Sequence, residues 1–322
     1  IFGAKVDSVL HTGRTDPSKG AAELEAFIAE TGFDQKDDLR LFFDLFRDRN
    51  RTVAKNVTLA LSDETVGGLM APVPFQLRTY LEPSELLPKL GITSASTNTK
   101  ALRVGIAVLI DEPSGNYQVD EPFLEALYQV MAERVENDAL ETARLILDSP
   151  FPLEGMILAQ PEAAATIFSG DIEMALLLAT NSDTLLASPW RIIYRLIKAD
   201  PSLAAEVLAE FHRRGESSLV AESLAYLAYD KDRQGLSPQL PISLEQDGRF
   251  LSALLTIEGA PWLEARLGES VELFQQRVAA GEVSPDFLER YRETLEFAAA
   301  FLSGGETRTI LTGVIRRGFG LS

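Results

Sequence analysis

Residues 149–168 read SPFPLEGMILAQPEAAATIF, and residues 188–208 read SPWRIIYRLIKADPSLAAEVL. The two stretches open alike, on Ser149-Pro150-Phe151 and on Ser188-Pro189-Trp190. They share an Ile-x-Ala-x-Pro middle, with Ile157, Ala159 and Pro161 answering to Ile197, Ala199 and Pro201. An Ala-Ala pair and an apolar end follow in both. Proline, with its fixed φ, suits the first turn of a helix, and a Ser or Asp just before it accepts the free N–H groups of that turn. Two adjacent alanines let a neighbouring helix approach closely. Each copy therefore reads as a pair of helices, about forty residues from the next. That is the period at which two-helix units stack in solenoids, because a lone pair leaves an apolar face bare.

The fold class that follows is mainly α: antiparallel helix pairs in a helical-repeat, solenoid-like or irregular helical array. An apolar run, a small or acidic residue and a proline recur at Pro72, Pro113, Pro150, Pro189 and Pro261. This ladder extends the same unit along much of the chain. None of the named repeat consensuses is met, so the resemblance to helical solenoids is one of geometry.

Outward from the centre, most segments carry the i, i+3, i+4 spacing of a helix with one apolar face. Asp16-Pro17 starts a helix that ends at Gly32. A second runs from Gln35 with Leu39, Phe42, Phe43 and Phe46 on one side, and Asn50 to Leu61 is a third. Residues 63–74 carry Gly67, Gly68, Pro72 and Pro74 and read as a connection. Residues 91–100 read as a polar loop. Residues 103–120 admit a buried helix or a short β-hairpin around Pro113-Ser114-Gly115-Asn116, with the helix favoured by its surroundings. Pro122 begins a helix striped by Phe123, Leu127 and Met131, and Ala139 to Leu147 makes another. The organisation expected is an N-terminal, mostly helical region over 1–118 with an irregular segment at 67–118, a helical-repeat domain over 119–304 and a C-terminal tail over 305–322.

With 30 Lys and Arg against 48 Asp and Glu, the 322-residue chain carries a formal charge of -18. A surface of that sign repels nucleic-acid phosphates and anionic lipid, which argues against both as partners and for a protein partner with a basic surface. No run approaches the roughly 18 apolar residues of a membrane span. The absence of Cys removes disulfides, thiolate metal sites and a Cys nucleophile. With a start at Ile1 rather than Met, it gives a slight lean to an exported or periplasmic compartment over the cytoplasm.

Candidate chemistry is thin. Val108 to Gly115 (VLIDEPSG) resembles the magnesium- and water-polarising motif of ABC-type ATPases, and Leu302 to Glu306 (LSGGE) resembles their signature. The phosphate loop G-x-x-x-x-G-K-[ST] is absent and the order of the two is reversed, so a nucleotide hydrolase is set aside. Asp34, Asp37, Asp38 and Asp44 cluster near one helix, a pattern that resembles the acidic magnesium motif of all-helical terpenoid synthases, yet a second acidic motif is missing. Aspartates at a helix start also oppose the helix dipole without any function. Only His11 and His212 are present, with no facing ligands. The reading is a non-catalytic helical-repeat protein, a protein–protein interaction scaffold or a structural component of a larger assembly, with no catalytic residue, cofactor or metal. Phe151, Trp190, Tyr194 and Trp262 are its candidate interaction anchors. The competing expectation is an all-α enzyme that uses an acidic divalent-metal site on a phosphorylated or lipid-like substrate.

Overall fold

Asp16, Asn50, Ser62, Asn98, Asn116, Asp138 and Asp200 each stand one residue before a helix, and each side chain accepts a backbone N–H of the first turn. Short polar side chains favour this position because they satisfy donors the helix cannot. These caps divide the chain into its elements. The structure, a computed structural model, describes residues 2–171, 173–174, 177–178, 193, 196–198, 200–225, 227, 241–301 and 305–320. Every regular element among them is a helix. No helix among the described residues is long and apolar enough to cross a membrane. The chain forms two compact units, Ile1–Phe151 and Pro152–Ser322.

In the first unit, α1 (Phe2–Thr15), α2 (Pro17–Thr31), α3 (Lys36–Arg49) and α4 (Arg51–Ala60) precede three seven-residue helices, α5 (Asp63–Leu69), α6 (Pro74–Tyr80) and α7 (Pro83–Lys89). Helices α8 (Thr99–Asp111), α9 (Tyr117–Asn137) and α10 (Ala139–Leu147) complete it. Helix α1 packs on α2 and α3 on α4, while α1 also lies on α3 and α2 on α4. Between them sits an aromatic cluster. Phe27 and Phe42 stack at 4.6 Å, Phe43 and Phe46 meet edge to face, and Tyr80 lies against Phe43. A Cβ on Gly20 would fall 2.8 Å from the Gly13 Cα, so the α1–α2 crossing depends on two glycines.

In the second unit, α11 (Leu153–Ala159) and α12 (Pro161–Gly170) pair, and α12 contacts α13 (Pro201–Arg213). Then follow α14 (Ser217–Ala225), α15 (Pro241–Glu258), α16 (Ala260–Ala279), α17 (Pro285–Phe301) and α18 (Glu306–Gly318). Neighbours in sequence pair as α13–α14, α15–α16 and α17–α18. Alternate helices stack: α13 on α15 on α17, and α14 on α16 on α18. Prolines at Pro161 and Pro201 both open helices. Three, six and seven residues beyond each, the side chains are buried: Ala164, Ile167 and Phe168 in one copy, Ala204, Val207 and Leu208 in the other.

Several sequence expectations need correction. Residues 103–120 form no hairpin: they are the body of α8, a turn, and the start of α9. Helix α9 begins at Tyr117, so Pro122 lies inside it rather than at its head. The reason is tertiary, since Asp120 in the first turn is tied to Arg78 of α6 and to the Ser114 N–H. Residues 63–69 are helical despite Gly67 and Gly68, because Ser62 caps them and Glu25 of α2 accepts from both the Ser62 N–H and the Thr65 hydroxyl. Ser149 is not a helix cap. Its hydroxyl donates to the Leu145 carbonyl at 2.8 Å, at the end of α10, and the next helix waits until Leu153. The second opening, Ser188-Pro189-Trp190, lies outside the described residues.

Candidate functional site

Of the four proposed anchors, Phe151 is 3% exposed, and its ring meets Tyr128 edge to face at 5.9 Å. Trp262 is half-buried in the first turn of α16 and packs edge to face on His212 of α13, 5.2 Å between centroids. The Trp262 Nε1 and the His212 Nδ1 are buried without a hydrogen-bond partner among the described residues. Trp190 and Tyr194 lie outside the described residues.

The aspartates of the α3 region are engaged singly. Asp34 accepts from Gln35, Asp37 faces Arg40 at 3.9 Å, and Asp44 faces Arg47 at 3.7 Å and accepts from Gln76. Among the described residues no three carboxylate or imidazole side chains come together to hold a metal ion. Asp111 ends α8 and Glu112 caps it, so the VLIDEPSG string is helix and turn, not the strand that a nucleotide site requires.

Two buried cations organise the first unit. Arg78, with its side chain 2% exposed, meets Asp120 at 2.7 Å and donates to the Leu109 carbonyl at 2.7 Å. Burial pulls its pKa below the usual arginine value, and Asp120 opposes that fall. Glu25 is held below the usual carboxylate value, first by the Ser62 N–H and then by the Ser62 and Thr65 hydroxyls. Burial pushes the Tyr128 phenol up to about 12.

The second cation is Arg134, 7% exposed, in the last turn of α9. Its Nη1 donates to the Ser94 carbonyl at 3.2 Å and to the Ser96 carbonyl at 2.7 Å, which fastens the polar loop onto the helix. It borders a cavity of about 390 Å³ together with Ser94, Ser96, Asn137, Asp138 and Glu141. The sequence carried a signal for this residue. Leu127, Met131 and Arg134 follow i, i+4, i+7 on the apolar stripe of α9, a place where a charge requires partners. What those partners are could not be read, because they come from a loop about forty residues away.

In the second unit a cavity of about 470 Å³ lies along α16 and α18. Glu264, Glu269 and Glu272 of α16 line it opposite Val314 and Arg317 of α18. Arg317 pairs with Glu264, and Gln275 donates to the Gly318 carbonyl at 2.7 Å. The lining is acidic on balance and lies on rigid helical elements rather than on loops.

Compared with protein-family models, with curated proteins and with solved structures, the chain matches none.

Proposed function

We propose that the protein is a non-catalytic helical-repeat scaffold, which binds another protein or holds its place in a larger assembly through the second unit. The observation that carries this reading is the alternate-helix packing of α13 to α18. Helices that stack in two layers bury their apolar faces against the helices before and after them, and leave edges and inter-helix grooves along the stack for a partner. The α16–α18 groove is one such place. Three glutamates against one arginine give it a net negative lining, in keeping with the formal charge of -18, and favour a partner with a basic surface.

The test is affinity capture of the intact chain from its source cell with quantitative mass spectrometry, beside a variant carrying Glu269→Lys and Glu272→Lys. The scaffold reading expects a stoichiometric partner that the wild-type chain retains and the charge-reversed chain loses, with an association rate that falls as salt rises. Absence of a stoichiometric partner, or one indifferent to both substitutions, counts against it.

A further inference from the structure

Helix α8 is apolar on two sides. Leu102, Gly105, Ile106 and Leu109 are buried on the inner one, where Gly105 lies so close to the Leu90 carbonyl that a Cβ would stand 2.0 Å from it. The outer side carries Ala101, Val104, Ala107 and Val108, at the i, i+3, i+4 spacing of one helix face. Val104 is 55% exposed, Ala101 is exposed, and Ala107 and Val108 are half-buried. A helix that is apolar all round is ordinarily covered all round.

The charges of this outer face run against local preference. Lys100 stands in the first turn and Asp111 is the last residue, so a cation meets the positive end of the helix dipole and an anion the negative end. Both are exposed, and no ion pair among the described residues engages either, whereas their neighbour Arg103 pairs with Asp148. Eleven residues apart, Lys100 and Asp111 fall within about 20° of each other around the axis, in line with Val104. A second α8 laid antiparallel across the first resolves the conflict. A two-fold axis between residues 105 and 106 sets Lys100 of each copy beside Asp111 of the other, and Val104 beside Ala107. Helix α8 also carries two cations against one anion, in a chain of formal charge -18. It is a place where two acidic copies can meet without like charges facing each other.

We infer that the outer face of α8 is an interface between two copies of this chain, joined as an antiparallel helix pair. A uniformly basic partner would oppose Lys100, and a uniformly acidic one Asp111; a second copy satisfies both ends. Thirteen residues of helix span about 20 Å, so the interface is at the small end for specific complexes and the association is reversible. The inference concerns the first unit and does not depend on the partner proposed for the second.

Sedimentation velocity and light scattering of the intact chain, from about 1 µM to about 300 µM at physiological ionic strength, test this. The expected result is a monomer–dimer equilibrium with a Kd on the order of 10 µM. Val104→Glu should abolish it and leave Tm in place, because the side chain is exposed and Glu is a good helix former. Lys100→Asp and Asp111→Lys each set like charges against each other twice, and each should weaken self-association tenfold or more. Both substitutions suit the helix dipole, so the fold is kept. Mixed together, the two single variants should pair with each other about as tightly as the wild-type chain pairs with itself, since opposite charges meet again at both ends. A chain that stays monomeric throughout, a dimer that survives Val104→Glu, or a mixture no tighter than its separate components overturns the inference.

Discussion

The two units solve the same problem, closing a stack of helices, by partly different means. In both, cations pair with carboxylates, but in the first they also reach across to backbone carbonyls. Arg49 donates to Gly3, Arg40 to Pro72, Arg51 to Thr79, Arg78 to Leu109, Lys89 to Leu61 and Arg134 to Ser94 and Ser96. In the second, cations pair with carboxylates along or between helices: Arg214 with Glu210, Arg266 with Glu269, Arg277 with Glu222 and Arg292 with Glu296. Helix C-termini account for part of the contrast, since Thr79, Leu109 and Leu61 lie at or just past the ends of α6, α8 and α4. Each helix C-terminus leaves up to four carbonyls without a partner, and these carry the negative end of the helix dipole. Three seven-residue helices give the first unit many such ends in a short span. Helices α15, α16 and α17 run to 18, 20 and 17 residues, so that stretch of the second unit has few ends per residue and a repetitive lateral packing. The lesson is that the first unit depends on a few unique fasteners, whereas the second spreads its stability along repeated contacts.

The comparison can be broken by mutation. The largest effect should follow Phe42→Ala, which empties the centre of the aromatic cluster, where Phe42 is 0% exposed and touches Phe27, Phe43 and Phe46. A loss of about 3–5 kcal/mol is expected in denaturant titration. Hydrogen exchange should rise across residues 2–151, and a loss below about 1 kcal/mol would mean that the cluster is not the core of that unit. Next comes Arg78→Met. It breaks a buried pair and should cost about 3 kcal/mol, the low end for such pairs because Asp120 keeps the Ser114 N–H. Its exchange signature should centre on the α8–α9 turn.

A smaller effect is expected in the second unit. Asp200→Ala removes the acceptor for the Ser202 and Leu203 N–H groups and should cost about 1 kcal/mol. Faster exchange should be confined to the first turn of α13. Spread beyond that turn would show that the second unit, too, hangs on single fasteners. The smallest effect is a pH dependence. Glu25 has a pKa below its unfolded value of 4.5, so its brace on α5 is fully present above pH 4.5 and is lost as pH falls through the lowered folded value. Glu25→Gln should flatten the acid limb of the stability curve slightly. An unchanged limb would remove Glu25 from the list of fasteners.

Much of the helical architecture was legible from local chemistry. Asp16-Pro17 and Gly32 bracket α2, Ala139 to Leu147 is α10 as its periodicity indicates, and Phe42, Phe43 and Phe46 are buried as their spacing requires. The failures share one cause. Helices α5 and α9 begin where distant side chains, Glu25 and Arg78, offset what Gly67, Gly68 and Pro122 locally disfavour. Ser149 has the composition of a cap and the role of a helix end, because its hydroxyl finds the Leu145 carbonyl first. The candidate sites were less legible still. Arg134 stood out only as a charge on an apolar stripe, and the α16–α18 groove had no local mark.

The stretch at 149–208 marks the division well. By itself the sequence determined that the chain is helical and that Pro161 and Pro201 each stand before an Ala-Ala pair and an apolar end suited to a helix, because helix periodicity and proline geometry act within a few residues. Only the tertiary structure decided that alternate helices of the second unit stack in two layers, and that a cation and two carboxylates meet around one cavity in the first. Which side chains meet across a fold depends on how separate helices pack, and local periodicity carries no record of that.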